Sequence, residues 1–167
     1  MVNLPENSLM TKQSKIIIPG VIFIIIILSA GCSREKNDVI PDVYVDFTIS
    51  LSDPLFFSLN APGNAVAVSH LTNNLGSAAA GFDFNGIIIY NADNTQFYAY
   101  DRTCPHDYAV NNQSIKINIG GIYAVCPQCG TTYALPSGGN PASGPGRYPL
   151  KNYRTSFNGT LVHVWNR

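Results

Sequence analysis

Three of the four cysteines and one of the three histidines fall in two short runs, Arg102-Thr-Cys-Pro-His-Asp-Tyr108 and Cys126-Pro-Gln-Cys-Gly130. Three thiols and an imidazole, Cys104, His106, Cys126 and Cys129, form a donor set for a metal. Zinc takes four such donors in a closed tetrahedral site, and iron–sulfur clusters take thiolates with or without imidazole. The remaining cysteine, Cys32, lies at the end of an N-terminal apolar run. Setting it aside leaves an odd number of cysteines, which cannot complete a disulfide framework in an exported chain. A redox dithiol at Cys126 and Cys129 would need a helix N-terminus within a βαβ unit to activate it, and no such pattern surrounds them.

The elements that must position these residues read as strands. Residues 43–51 (VYVDFTISL) alternate apolar and polar, the signature of a half-buried strand, and Asp53-Pro54 ends it. Residues 65–69 make a second, shorter strand. Residues 87–100 read as a hairpin turning at 91–95, and 115–119 with 122–125 as another across Gly120-Gly121. Asn158-Gly159 separates 153–157 from 160–165, a strong two-residue hairpin signal. No stretch combines helical period, length and caps, and Gly76–Phe82 allows at most one turn of helix. The expected fold class is therefore all-β, with the Cys104 and Cys126 loops leaving neighbouring hairpins like two fingertips.

Size and charge narrow the function. The chain has 167 residues, enough for one domain and too few for two good cores. Net charge is zero and only 12% of residues are charged, so there is no basic patch for nucleic acid. Lys12 and Lys15 precede an apolar stretch running from Ile16 to Leu28, a signal-peptide pattern too short for a comfortable membrane span. The following Leu28-Ser-Ala-Gly-Cys32 resembles a bacterial lipobox, departing from it in having Ser29 where leucine is usual. That resemblance implies a signal peptide over 1–31, a lipidated Cys32 followed by a tether through residue 42, and a β domain over 43–167. It implies membrane attachment through the lipid and a place in the bacterial cell envelope.

From Gly86 to Trp165 the chain resembles the Rieske-type [2Fe-2S] domain. Cys104-Pro-His106 matches the family's first ligand loop, and Cys126-Pro-Gln-Cys129 matches the second except that Cys129 stands where the family has histidine. Gly130-Thr-Thr-Tyr133, Gly138-Gly139, Gly144-Pro-Gly146, Leu150 and Tyr153 continue the likeness. The resemblance implies an antiparallel Rieske-like β-sandwich with two metal-binding loops and a cluster held by Cys104, His106, Cys126 and Cys129. It places Thr131 and Tyr133 as hydroxyl donors to the cluster's sulfurs and the Gly-Pro-Gly loop over the cluster. A third thiolate makes the site more negative, so its potential should lie between the Rieske range and the roughly −400 mV of all-cysteine ferredoxins. The function implied is one-electron transfer or redox sensing with an unidentified partner protein. His70 and His163 read as packing or surface residues, and no catalytic two-histidine-one-carboxylate site is present, so the domain reads as a carrier and not an enzyme. The alternative rests on Cys-Pro-x-Cys-Gly, which is also the knuckle of zinc ribbons: a zinc-stabilised, or cofactor-free, binding module without redox activity. Asp107, Arg102 and Arg147 read as local or solvated loop residues.

Overall fold

The computed structural model describes residues 37–167. The signal-peptide and lipidation readings, including Cys32, lie outside the described residues. Strand β1 (Asp46–Ser50) buries Phe47 and Ile49 while Asp46 and Thr48 face solvent, as its alternation demands. Strand β3 (Ile87–Asn91) breaks that rule, because all five of its residues are buried. Ile87 and Ile89 enter one core while Ile88 and Tyr90 enter a second on the opposite face. A strand covered on both faces reads as a continuous apolar run, which is what Ile87-Ile88-Ile89-Tyr90 is.

Two antiparallel sheets build these cores. The larger has six strands in the order β1, β10 (Leu161–Trp165), β9 (Asn152–Phe157), β4 (Phe97–Asp101), β3, β2 (Ala65–Val68). The smaller has four in sequence order, β5 (Asn118–Gly120), β6 (Tyr123–Val125), β7 (Thr132–Ala134) and β8 (Asn140–Ser143). The first core lies on one face of the large sheet and includes Phe47, Ile49, Phe56, Leu59, Ile89, Val162 and Val164. The second joins the large sheet's other face to the small one through Ile88, Tyr100, Ile117, Ala124, Tyr133, Leu135 and Leu150. Tyr100 crosses this core and donates its hydroxyl to the Leu135 carbonyl at 2.7 Å. The all-β class holds.

Two local features depart from the sequence reading. A short helix, α1 (Pro105–Asn111), follows Cys104, where a loop was expected. Pro105 sits at its first position, where the missing N–H is no loss, and Asn112 ends it in the left-handed conformation at φ 52°. Residues 37–42, expected to be a tether, are packed onto the domain: Asn37 and Ile40 are buried. Lys151, itself buried, donates to the Ile40 carbonyl and pairs with Asp42, both at 2.7 Å. Asn37 donates to the Pro149 carbonyl. Among the described residues no helix is long and apolar enough to cross a membrane.

Candidate metal centre

The first loop leaves β4 over a pinned base. The Asp101 carboxylate is fully buried and accepts from the Phe82 and Thr103 amides and the Tyr153 hydroxyl, at 2.7, 2.8 and 2.7 Å. Burial, with Asp101 alongside, pushes the Tyr153 phenol far above its ordinary value, so it stays a donor. Arg102 donates its guanidinium to the Ile117 carbonyl, and the Cys104 amide donates to Ile115 at 2.8 Å. Cys104 is thus delivered by a β-type pairing and immediately caps α1.

The second loop is a tight turn between β6 and β7. The Gly130 amide donates back to the Cys126 carbonyl at 3.1 Å and the Cys126 amide to Thr131 at 2.9 Å. Gly130 holds φ +73°, a conformation in which a side chain is strained. The turn directs Cys126 and Cys129 toward Cys104.

Four donor atoms meet there. The sulfurs of Cys104, Cys126 and Cys129 and a carboxylate oxygen of Asp107 all lie within 4.8 Å of one another. Cys104 Sγ is 3.7 Å from Cys129 Sγ, and Cys126 Sγ is 2.9 Å from Asp107 Oδ2. Cys104, Cys126 and Asp107 are at most 2% exposed, while Cys129 is partly exposed. Tyr133 Oη stands 3.3 Å from Cys104 Sγ, and Thr131 Oγ1 stands 3.2 Å from Cys129 Sγ. Thr131 Oγ1 accepts from both the Cys129 thiol and the Gly146 amide, the latter at 2.9 Å; once Cys129 is a thiolate, the hydroxyl hydrogen can turn to the sulfur. The Gly144-Pro145-Gly146 loop presses on this floor. A Cβ at Gly144 would stand 2.7 Å from the Thr131 Cα, and one at Gly146 would stand 2.5 Å from the Thr131 methyl.

Three of the four candidate ligands are therefore brought together and His106 is not among the gathered donors. Its side chain is only half-buried on α1, and its backbone amide faces the Tyr133 hydroxyl. The residue missed by sequence reading is Asp107, which is no solvated loop residue. The signal was Cys-Pro-x-Asp. Proline after a capping position starts a helix, and residues three apart at a helix start share a face, whereas residues two apart do not.

Electrostatics follow from burial. Desolvation pushes the Cys104 thiol up to about 11, and raises Cys126 further with Asp107 accepting its proton. Burial alone would raise Asp107 too, but the thiols of Cys126, Cys104 and Cys129 donate to it and hold it below the usual carboxylate value. Without a metal the site is a carboxylate solvated by thiols. With a metal those protons must leave.

The donor set fits a metal. Thiolates suit zinc and iron–sulfur centres alike. Around one tetrahedral ion with bonds of about 2.3 Å, sulfurs stand about 3.8 Å apart, and the 3.7 Å between Cys104 and Cys129 agrees.

No family model matches the chain, and no curated protein matches it. Solved structures with similar backbones include the ferredoxin of carbazole 1,9a-dioxygenase from Nocardioides aromaticivorans IC177, at 15% identity and TM-score 0.45 over 75% of this chain and all of that one. A complex of reduced oxygenase and oxidised ferredoxin in carbazole 1,9a-dioxygenase matches at 23% identity and TM-score 0.41, over 64% of this chain and 83% of that chain. The Sphingomonas yanoikuyae B1 ferredoxin matches at 17% identity and TM-score 0.41, over 64% of this chain and 89% of its own.

Proposed function

We propose that this chain is a Rieske-like electron carrier of the bacterial envelope, tethered through a lipid on Cys32, with an iron–sulfur centre held by Cys104, Cys126, Cys129 and a fourth donor from the turn that begins α1. The observation that carries the reading is the pair of hydroxyls on the sulfurs. Tyr133 reaches Cys104 and Thr131 reaches Cys129. Hydrogen bonds to cluster sulfurs favour the electron-rich reduced state and so tune potential. A bound [2Fe-2S] cluster would supply a single reversible electron acceptor. The chain's part is to bury it behind the second core, cap it with Gly144–Gly146 and leave Cys129 as the partly exposed sulfur facing a redox partner. The Leu28–Cys32 run supports the lipid anchor and the envelope location.

The second reading is a single zinc ion in a structural site. It is favoured by the 4.8 Å spread of all four donors. Anaerobic purification with iron, zinc and acid-labile sulfide analysis separates the two. About two iron and two sulfide per chain, with visible bands bleached by dithionite, supports the carrier. Stoichiometric zinc in a colourless protein that resists iron and sulfide reconstitution overturns it.

A further inference from the structure

We propose that Asp107, and not His106, supplies the fourth donor of the centre, giving a three-cysteine, one-aspartate site. The inference rests on the reading that the cysteines bind a metal, of either kind. Helix register selects Asp107. Cys104 caps α1 and Asp107 is its third residue, so their side chains lie on one face and Asp107 Oδ2 comes within 2.9 Å of Cys126 Sγ. His106, one position earlier, is turned out of the group.

Charge selects it as well. Asp107 is 2% exposed and its hydrogen-bonding partners include the thiols of all three cysteines. Metal loading converts those thiols to thiolates, which can no longer donate. A buried carboxylate would then face three anions within 4.8 Å. His106 offers this carboxylate some electrostatic support, but a buried anion among three others is strongly unfavourable, and a cation among the four donors removes the penalty. Carboxylate oxygen is an ordinary ligand for zinc and an accepted one for iron. The carboxylate gives the same net charge as a fourth thiolate, so a cluster held this way carries one more negative charge than one completed by imidazole.

The test is X-ray absorption at the metal's K edge on the full folded domain, as isolated and, separately, loaded with zinc alone. Loaded with zinc, wild type should fit three sulfurs and one light atom; a two-iron centre, with two bridging sulfides on each iron, should average about three and a half sulfurs and half a light atom per iron, and neither should show the outer-shell scattering of an imidazole ring. His106→Ala should leave that spectrum and the metal content unchanged. Asp107→Ala should weaken zinc binding by at least about a hundredfold, beyond the 10–100-fold cost of removing an outer partner. Asp107→His should bind metal and gain the imidazole signature. Imidazole scattering in wild type that vanishes in His106→Ala overturns the proposal even if Asp107→Ala fails to fold. So does an unchanged light-atom shell in Asp107→Asn together with unchanged affinity in Asp107→Ala. A wild-type domain that takes up neither iron nor zinc overturns the metal reading itself, and this inference with it.

Discussion

The large sheet and the small sheet solve the same problem by different means. The large sheet has strands of four to six residues and buries whole isoleucine, valine and phenylalanine side chains on one face along most of its width. The small sheet has strands of three or four residues, several with exposed side chains such as Ile122, Tyr123 and Val125 alongside. Its cohesion comes from a few buried anchors, Ala124, Tyr133 and Leu135, and from the sulfurs that share their cluster. A three-residue strand cannot bury enough apolar surface to offset the entropy of ordering it. The difference teaches that the large sheet carries a core of its own, whereas the small sheet shares its only buried cluster with Cys104 and Cys126 and would gain most from a group bound there.

Removing a ligand should break this asymmetry most visibly. Cys126→Ser should abolish the centre and leave less than about a tenth of the wild-type metal, since a lost ligand exceeds the 10–100-fold cost of an outer-shell loss. Hydrogen exchange should then quicken across Tyr123–Val125 and Thr132–Ala134 while Ile87–Asn91 and Leu161–Trp165 stay protected. Equal quickening in both sheets would mean that one cooperative unit contains them. The converse change lies in the scaffold. Ile89→Ala, fully buried in the first core, should cost about 2–5 kcal/mol in chemical denaturation and leave metal content per folded chain unaltered. At the boundary, Gly144→Ala forces a Cβ to 2.7 Å from the Thr131 Cα at φ +88°. It should lift the cap, cost about 1–3 kcal/mol as an overpacked site, and speed loss of metal to a chelator.

Smaller effects sharpen the comparison. Tyr133→Phe deletes the hydroxyl on Cys104, together with its contact to the His106 backbone amide. One hydrogen bond of about 1 kcal/mol to the reduced state corresponds to roughly 40 mV for one electron, so voltammetry should read a fall of that order with the fold intact. The smallest effect concerns the metal-free chain. Folding raises the Cys104 thiol from 9.0 to about 11. The folded state therefore binds more protons than the unfolded state between those values, and its stability should decline as pH rises through them. Denaturant midpoints of apoprotein at pH 8 and pH 10 measure this, and Cys104→Ala should reduce the difference while the part due to Cys126, which is raised further, remains.

The two sheets also differed in how far the sequence exposed them. The alternation of Phe47 and Ile49, the continuous Ile87–Tyr90 run and the Asn158-Gly159 turn each state a strand or hairpin in local terms, and those elements stand within a few residues of expectation. Strands β7 and β8 were not legible, because three or four residues span too little of a period-two pattern to separate from loop. The Pro54–Asn60 turn escaped for a related reason: its 3-10 form follows from Asp53 capping Leu55, with Phe56 and Leu59 entering the core only once β1 and β2 exist. The cysteines announced the centre by type and spacing. Asp107 did not, since a single loop carboxylate is usually solvated and only the register of a seven-residue helix turns it inward.

One feature of the chain's entry into the domain has a mechanical meaning. Asn37 grips the Pro149 carbonyl and Lys151 grips Ile40 and Asp42. Tension applied at residue 37 meets these contacts before it can reach β1 at Asp46. They sit a few residues beyond Gly144–Gly146, the loop that packs on Thr131. A pull applied at residue 37 would peel against residues 149–151 first, and the loop nearest that strain is Gly144–Gly146 on Thr131, while the β1–β10 pairing is loaded only after those clasps give way.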